Sequence, residues 1–414
     1  MSRPSDMFRD RVVPSWPESA VTTGEPQLAR PNFPAVYFLD SRMFWHGQME
    51  IPRAQFPLPH AIGRYIENGR DVASLYFERV HHWMLIISKK RFYDQLLNPL
   101  SHPRPDVTIL LLCMKLVTWS PSEHSGPVDQ PMTPAYLTAK RMLLEAEIHG
   151  VSTLQSLQSN ILVALYELGH AIYPAAYMST GACARYGLAL GIDRQLCVDS
   201  KPSGHSILEQ EERRRVWWAI VILDRAVIVN ERSTTYQSPS SRRCRMGLKP
   251  RLSQAAYLLG RVFKHTKDST VNDLYHEEEK KQLDRTLRAL LNLSYVDGAM
   301  RRMAVCAQTG ICYSALITLH DSQSNRSDTM HRQYSMSILE PVAEESALGS
   351  QMFMTTVTQS VEDASPLLLH WAYQAATVYG RLIHDTGKEA LGLMEVLTTK
   401  LSLMSRRWLA AGRY

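Results

Sequence analysis

Cysteine is scarce in this 414-residue chain. The six residues Cys113, Cys183, Cys197, Cys244, Cys306 and Cys312 form no CxxC pair, and none precedes position 113. That suits reduced intracellular thiols better than a disulfide framework. It also excludes the closely spaced thiolate pairs of a zinc cluster. Long apolar runs are missing as well: the most apolar stretch, Val216 to Val229, is 14 positions long and is broken by Asp224 and Arg225. A membrane-spanning helix needs about 20 apolar residues. The opening MSRPSDMFRD has no apolar core of a secretory signal. Neither sign of charge dominates, since 46 Lys and Arg against 40 Asp and Glu leave +6, well short of a charge-coated nucleic-acid binder. Phosphate loops, dinucleotide glycine fingerprints, HExxH and GxSxG are all lacking, so the geometries those motifs supply are not on offer.

What the chain has is apolar residues at helical spacing, 45% of the total, enough to bury a large core. Nine of its 22 prolines fall in the first 60 residues, where fixed φ and missing donors disfavour helix; residues 1–60 read as an extended arm. Beyond it, Leu154, Leu157, Ile161, Leu165 and Leu168 step by three and four and share one stripe. Ser152 or Thr153 caps that helix, and Gly169 and Pro174 separate it from the next. The next helix, ended by Gly191, carries Ala175, Ala176, Ser179, Ala182, Cys183 and Ala184, small residues that permit close packing. A third runs from Ile207 to Asn230, polar and then apolar all round, which signals burial. Further helices are expected over Asp106–Val117, Pro134–His149, Leu252–Phe263, Leu283–Leu293, Met303–Leu319, Leu367–Ile383 and Ala390–Leu409. Asp193–Ser206, Glu231–Pro250 and Asp321–Arg332 read as loops. The expected fold is all-α, an irregular multi-helix bundle over residues 61–414.

Three groups carry candidate chemistry. Two E-x-x-H units, Glu78 to His81 and Glu167 to His170, resemble halves of a di-iron site. However, Glu145 and Glu147 would sit at the far end of an antiparallel neighbour, so a histidine near each helix end is the plainer reading. Second, Glu211, Glu212, Arg213, Arg214, Arg215, Trp217, Trp218, Asp224 and Arg225 place charges before and within an apolar helix, and buried charges require partners. Glu211 and Arg215 are i, i+4 neighbours. Asp224 and Arg225 point about 100° apart, which predicts contacts with different helices. Third, the loop from Glu231 to Pro250 holds Arg232, Arg242, Arg243, Arg245 and Lys249 against Glu231, which reads as a solvated loop or as a phosphate or import contact. Lys89, Lys90 and Arg91 form a weaker basic group.

LYFERVHHWMLIISKKRFYDQL from Leu75, LQSLQSNILVALYELGHAIYPAAYMSTGACARYGLALGI from Leu154 and EQEERRRVWWAIVILDR from Glu209 to Arg225 together resemble the fungal-specific transcription factor domain. This is the middle homology region of fungal zinc-cluster transcription factors. Weaker similarity extends from Tyr37 to Tyr414. The resemblance implies an all-helical regulatory domain that controls RNA polymerase II transcription in the nucleus and performs no chemistry. Its partners would be transcription machinery or co-regulators, with DNA reached only indirectly or through a separate module, a small-molecule effector, and no membrane. No cofactor is implied for this stretch, zinc belonging to an upstream cluster. The resemblance makes Glu167, His170, Arg185, Glu211, Arg215, Trp217, Trp218, Asp224 and Arg225 the structural and regulatory motif residues. The segment STTYQSPSSRRCRMGLKP from Ser233 departs from the acidic, proline-containing loop of the family. Two other readings stand beside this one: a helical small-molecule-binding protein or enzyme with a cavity near Trp217, Trp218 and Tyr166, and an inhibitor that pairs with a full-length relative.

Overall fold

The computed structural model describes residues 36–39, 43–44, 47, 62, 68–96, 104–121, 131–193, 206–228, 250–267, 274–298, 302–321, 333, 335–345, 347, 361–386 and 391–413. Most of the expected 1–60 arm and of the expected loops 193–206, 231–250 and 321–332 lies outside the described residues. Among the described residues there is no strand. The helices are α1 (Gly69–Arg79), α2 (Pro105–Val117), α3 (Pro134–Ile148), α4 (Leu154–Gly169), α5 (Ala175–Ala189), α6 (Ile207–Ile228), α7 (Pro250–Lys267), α8 (Leu274–Gly298), α9 (Arg302–Asp321), α10 (335–345), α11 (Leu369–Thr386) and α12 (Leu391–Ser405). The last falls short of the expected Leu409 because residues 406–408 turn, and Leu409–Arg413 form a 3₁₀ segment.

Local chemistry sets the boundaries. Thr133 and Thr153 are N-caps whose hydroxyls accept from Tyr136 N and Ser156 N, satisfying donors that the first turn leaves open. Pro105 and Pro134 occupy first-turn positions, where a missing N–H costs nothing. α5 stops where Gly191 takes φ +66°, a left-handed conformation that glycine adopts without strain.

α4 is the axis of the first half, in contact with α2, α3, α5 and α6. The spacing of its leucines predicts one apolar stripe, yet Gln155, Ser156, Gln158, Ser159 and Glu167 are buried too. Several of those polar groups find partners inside: Ser159 Oγ donates to Gln155 O at 2.9 Å, and Gln158 Nε2 donates to Ile86 O at 2.7 Å. The small residues Ala176, Ser179, Cys183, Ala184 and Gly187 form the buried face of α5, which packs on α4 and α6. In the second half α7 and α9 pack along each other, with α8 against both and α11 against α9. The buried apolar residues of both halves form one continuous core. Tyr37, from the one-turn helix Val36–Leu39, is buried with its hydroxyl donating to Ala189 O at the end of α5.

Candidate functional site

The first turns of α6 divide by helical phase. Glu211 lies on the outer side, 2.8 Å from Arg214 Nη2 and 3.1 Å from Arg215 Nε, the i, i+3 and i, i+4 contacts expected of the spacing. Glu212 points inward and is 1% exposed. Its Oε1 accepts from the backbone N–H of Ser88 at 3.0 Å and from Gln158 Nε2 at 2.9 Å; its Oε2 accepts from Arg91 Nη1 at 2.7 Å. Arg91 reaches Glu209 at 3.4 Å, Glu209 meets Arg213 at 3.5 Å, and Arg213 Nη1 donates to Leu190 O at 3.4 Å. One carboxylate therefore joins the segment after α1, the middle of α4 and the start of α6. Burial and the Glu212 charge push the nearby Tyr76 hydroxyl well above the usual phenol range. Burial lowers the Arg213 pKa, with Glu209 opposing.

The second cluster sits on α4 one turn from its end. Glu167 is fully buried; its Oε1 accepts from Tyr136 Oη at 2.7 Å and meets Lys140 Nζ at 3.0 Å, both on α3. Lys140 also donates to Ser179 Oγ on α5 at 2.8 Å. His170 lies among rings, 4.3 Å from Tyr166, 5.2 Å from Trp119 and 5.3 Å from Trp408 between centroids, and neither ring nitrogen is hydrogen-bonded. Burial, with the Arg407 charge adding to it, holds its pKa down to about 3. Arg407 is itself buried: Nη1 donates to Trp119 O, Nη2 to Val117 O and Nε to Glu362 O at 3.3 Å, while its carbon lies 3.9 Å from the Trp408 ring centroid. Trp408 Nε1 donates to Ala364 O at 2.8 Å. Glu78, of the other E-x-x-H unit, is exposed, and His81 lies edge-on to Phe77 at 5.1 Å. Among the described residues no three His, Cys, Asp or Glu side chains gather as a metal ligand set. Cys113, Cys183 and Cys312 are buried free thiols whose pKa burial pushes up to about 12; zinc binds thiolates.

The third pair corrects an expectation. Asp224 and Arg225 do not point wholly apart: Arg225 Nη1 lies 3.5 Å from Asp224 Oδ2. The long Arg225 side chain folds back to its short neighbour, and its guanidinium also lies over Gly260 of α7, where a Cβ would come within 2.9 Å of Nε. Burial raises the Asp224 pKa against the pull of Arg225, and it lowers that of Arg225. Among the described residues, neither cavity found brings Trp217, Trp218 and Tyr166 together. Trp217 packs on Gly187, Tyr166 stacks on Tyr136 at 5.6 Å, and Trp218 borders a void of about 50 Å³ with Trp83 and Arg215, too small for an ordinary ligand. Arg185 is exposed on α5, apart from these clusters. The loop from Glu231 and its arginines lie outside the described residues.

The buried carboxylates Glu212 and Glu167 are engaged inside an all-helical body as ties between helices, and its class comes from comparison with known proteins. The model of the fungal specific transcription factor domain matches residues 73–246, a span containing Ser88, Arg91, Gln158, Glu167 and Glu212. Transcription factor BOA15 of Botryotinia fuckeliana is 36% identical over 180 residues, covering 43% of this chain and 98% of that protein. Transcription factor tazR of Aspergillus terreus is 26% identical over 201 residues, 46% of this chain and 30% of that protein. The pigment biosynthesis transcriptional activator pigB of Monascus ruber is 30% identical over 176 residues, 40% of this chain and 30% of that protein. The matched part thus spans nearly all of the first and under a third of the other two. The chain belongs to the fungal-specific transcription factor domain family and is a transcriptional regulatory domain.

Proposed function

We propose that the chain controls transcription of a biosynthetic gene set in the nucleus by presenting its helical body to transcription machinery or a co-regulator, DNA being reached through another module or partner. It acts by binding and carries out no reaction. The observation that supports this most directly is the Glu212 junction, in which the motif's buried carboxylate is spent on Ser88, Arg91 and Gln158. A carboxylate so engaged holds helices and is a poor general acid or base. The similarity to the pigment biosynthesis transcriptional activator of Monascus ruber supports the biosynthetic assignment. A partner that prefers one packing of the helices shifts the active population by its differential affinity alone.

Deleting the gene and profiling transcripts, with the tagged protein followed by microscopy, tests the reading. A clustered set of biosynthetic transcripts should change and the tag should enter the nucleus. Unchanged transcripts with a tag excluded from the nucleus would overturn it, as would substrate turnover lost in Glu167→Gln with the fold intact.

A further inference from the structure

α3 has two apolar faces, and the body uses one of them. Tyr136, Ala139, Met142, Leu143 and Ala146 are buried where the helix packs on α2 and α4. On the far side Leu137, Leu144 and Ile148 are 39%, 58% and 56% exposed, with Arg141 exposed among them. These four positions step by four, three and four, the alternation that core positions follow where two helices pair as a coiled coil; the outer face of a surface helix ordinarily carries polar residues. The charges beside the stripe are sorted along it, Lys140 and Arg141 before the helix midpoint and Glu145 and Glu147 after it. Lys140 is spent on Glu167 and Ser179, whereas among the described residues no ion pair engages Arg141, Glu145 or Glu147.

We propose that the outer face of α3 is a self-association surface, which takes α3 of a second copy of this chain antiparallel across it. A two-fold axis level with the midpoint between Met142 and Leu143 sets Leu137 against Ile148 of the second copy and Arg141 against Leu144 of the second copy, each pairing occurring twice, as an isologous contact requires. The same register lays the basic part of each helix beside the acidic part of the other. Arg141 then stands three residues, about 4.5 Å along the axis, from Glu147 of the second copy, a gap its side chain spans. A parallel copy would set Arg141 on Arg141 and Glu147 on Glu147, so the charges select the antiparallel arrangement. A helix of 15 residues is about 22 Å long, which makes the contact small and the association weak and dependent on concentration. The inference goes beyond transcriptional control, and a chain that stayed monomeric would leave that reading standing.

Sedimentation velocity of the full chain between about 1 and 200 μM reads the association, with circular dichroism and thermal melting at the lowest concentration as fold controls. The parent should pass from monomer towards dimer across that range. Leu144→Glu places a charge at an exposed position and should stay monomeric with its melting curve kept. Arg141→Glu and Glu147→Arg should each weaken dimerisation at least about tenfold, and an equimolar mixture of the two should return to within about threefold of the parent, since opposite charges then meet at both contacts. A parent that is monomeric at every concentration would overturn the proposal, as would dimers indifferent to Leu144→Glu or a mixture as weak as its separate components. A monomer whose melting midpoint falls in Leu144→Glu would put another segment of the same chain over the stripe, which overturns it equally.

Discussion

Replacing Glu212 by alanine should be among the costliest single changes in the family-matched half. The side chain is 1% exposed and Arg91 only 14%, so the substitution strands a largely desolvated guanidinium. Breaking a buried pair from one side costs about 3 to 5 kcal/mol. The lower figure applies because Glu209 lies 3.4 Å from Arg91 and keeps part of the compensation. Ser88 N and Gln158 Nε2 also lose their acceptor, although Gln158 keeps Ile86 O at 2.7 Å; one orphaned buried donor adds about 1 to 3 kcal/mol. The expected loss is about 4 to 6 kcal/mol, comparable with the whole stability of many domains. Urea unfolding of the full chain, followed by tryptophan fluorescence and circular dichroism, reads it. The partner test is Glu212→Leu with Arg91→Met, which removes both charges and should recover much of the loss, since a buried ion pair replaced by apolar residues is often neutral. A Glu212→Ala protein within about 0.5 kcal/mol of the parent, or a double variant as unstable as the sum of its singles, would refute the junction as the tie between the three segments.

Acid should weaken the fold through His170. Its unfolded pKa is 6.5 and its folded pKa about 3, so below pH 6.5 the unfolded chain takes a proton that the native one refuses. Stability present above that pH is lost progressively down to about pH 3, by about 4 to 5 kcal/mol. His370, held down to about 4 by burial, acts in the same direction, and His170→Phe should flatten part of this limb in melting curves between pH 4 and 7. Gly169→Ala places a Cβ inside the Trp408 ring and should cost about 1 to 3 kcal/mol. Adding Trp408→Leu relieves the overlap, so the double variant should unfold later in urea than the two losses added together predict. Asp224→Asn leaves the 9% exposed Arg225 without its carboxylate and should cost up to about 3 kcal/mol, whereas Asp224→Asn with Arg225→Met should sit within about 1 kcal/mol of the parent in the same assay.

The helical architecture was legible because it is local. Caps at Thr153 and Gly191, prolines in first turns and apolar periodicity all act within a few residues. The Glu211 and Arg215 pair was legible for the same reason. Glu212 carried a signal as well: Val216, Ala219 and Leu223, at i+4, i+7 and i+11, are buried, and extending that stripe backwards one turn places Glu212 inside and Glu211 out. Arg91, three residues into a basic run, looked like a solvated patch, because its carboxylate lies 121 positions away. Tyr136 and Lys140 gave no sign that they would meet Glu167. The folding together of Asp224 and Arg225 was hidden because side-chain length outweighs the 100° offset of their Cα atoms, and α4 read as one stripe because its buried Gln158 is satisfied only by tertiary contacts, at Ile86 O and Glu212.

Arg407 and Trp408 show why the two halves work as one object. The last carbonyls of α2 have no partner within the helix, and the Arg407 guanidinium supplies it at Val117 O and Trp119 O from almost 300 residues downstream. Burial lowers the Arg407 pKa to about 9, which still leaves the cation in place at neutral pH, where it favours the negative end of the α2 dipole. Trp408 meanwhile rests on Gly169, a position where any larger residue would evict it. The matched family region ends at residue 246, yet part of its core is completed by side chains near the end of the chain. A change in the packing of α11 and α12 that moved residues 407–413 would uncover the end of α2, the Trp119 and Tyr166 rings and His170 together, so the C-terminal half is placed to set the state of the half that defines the family.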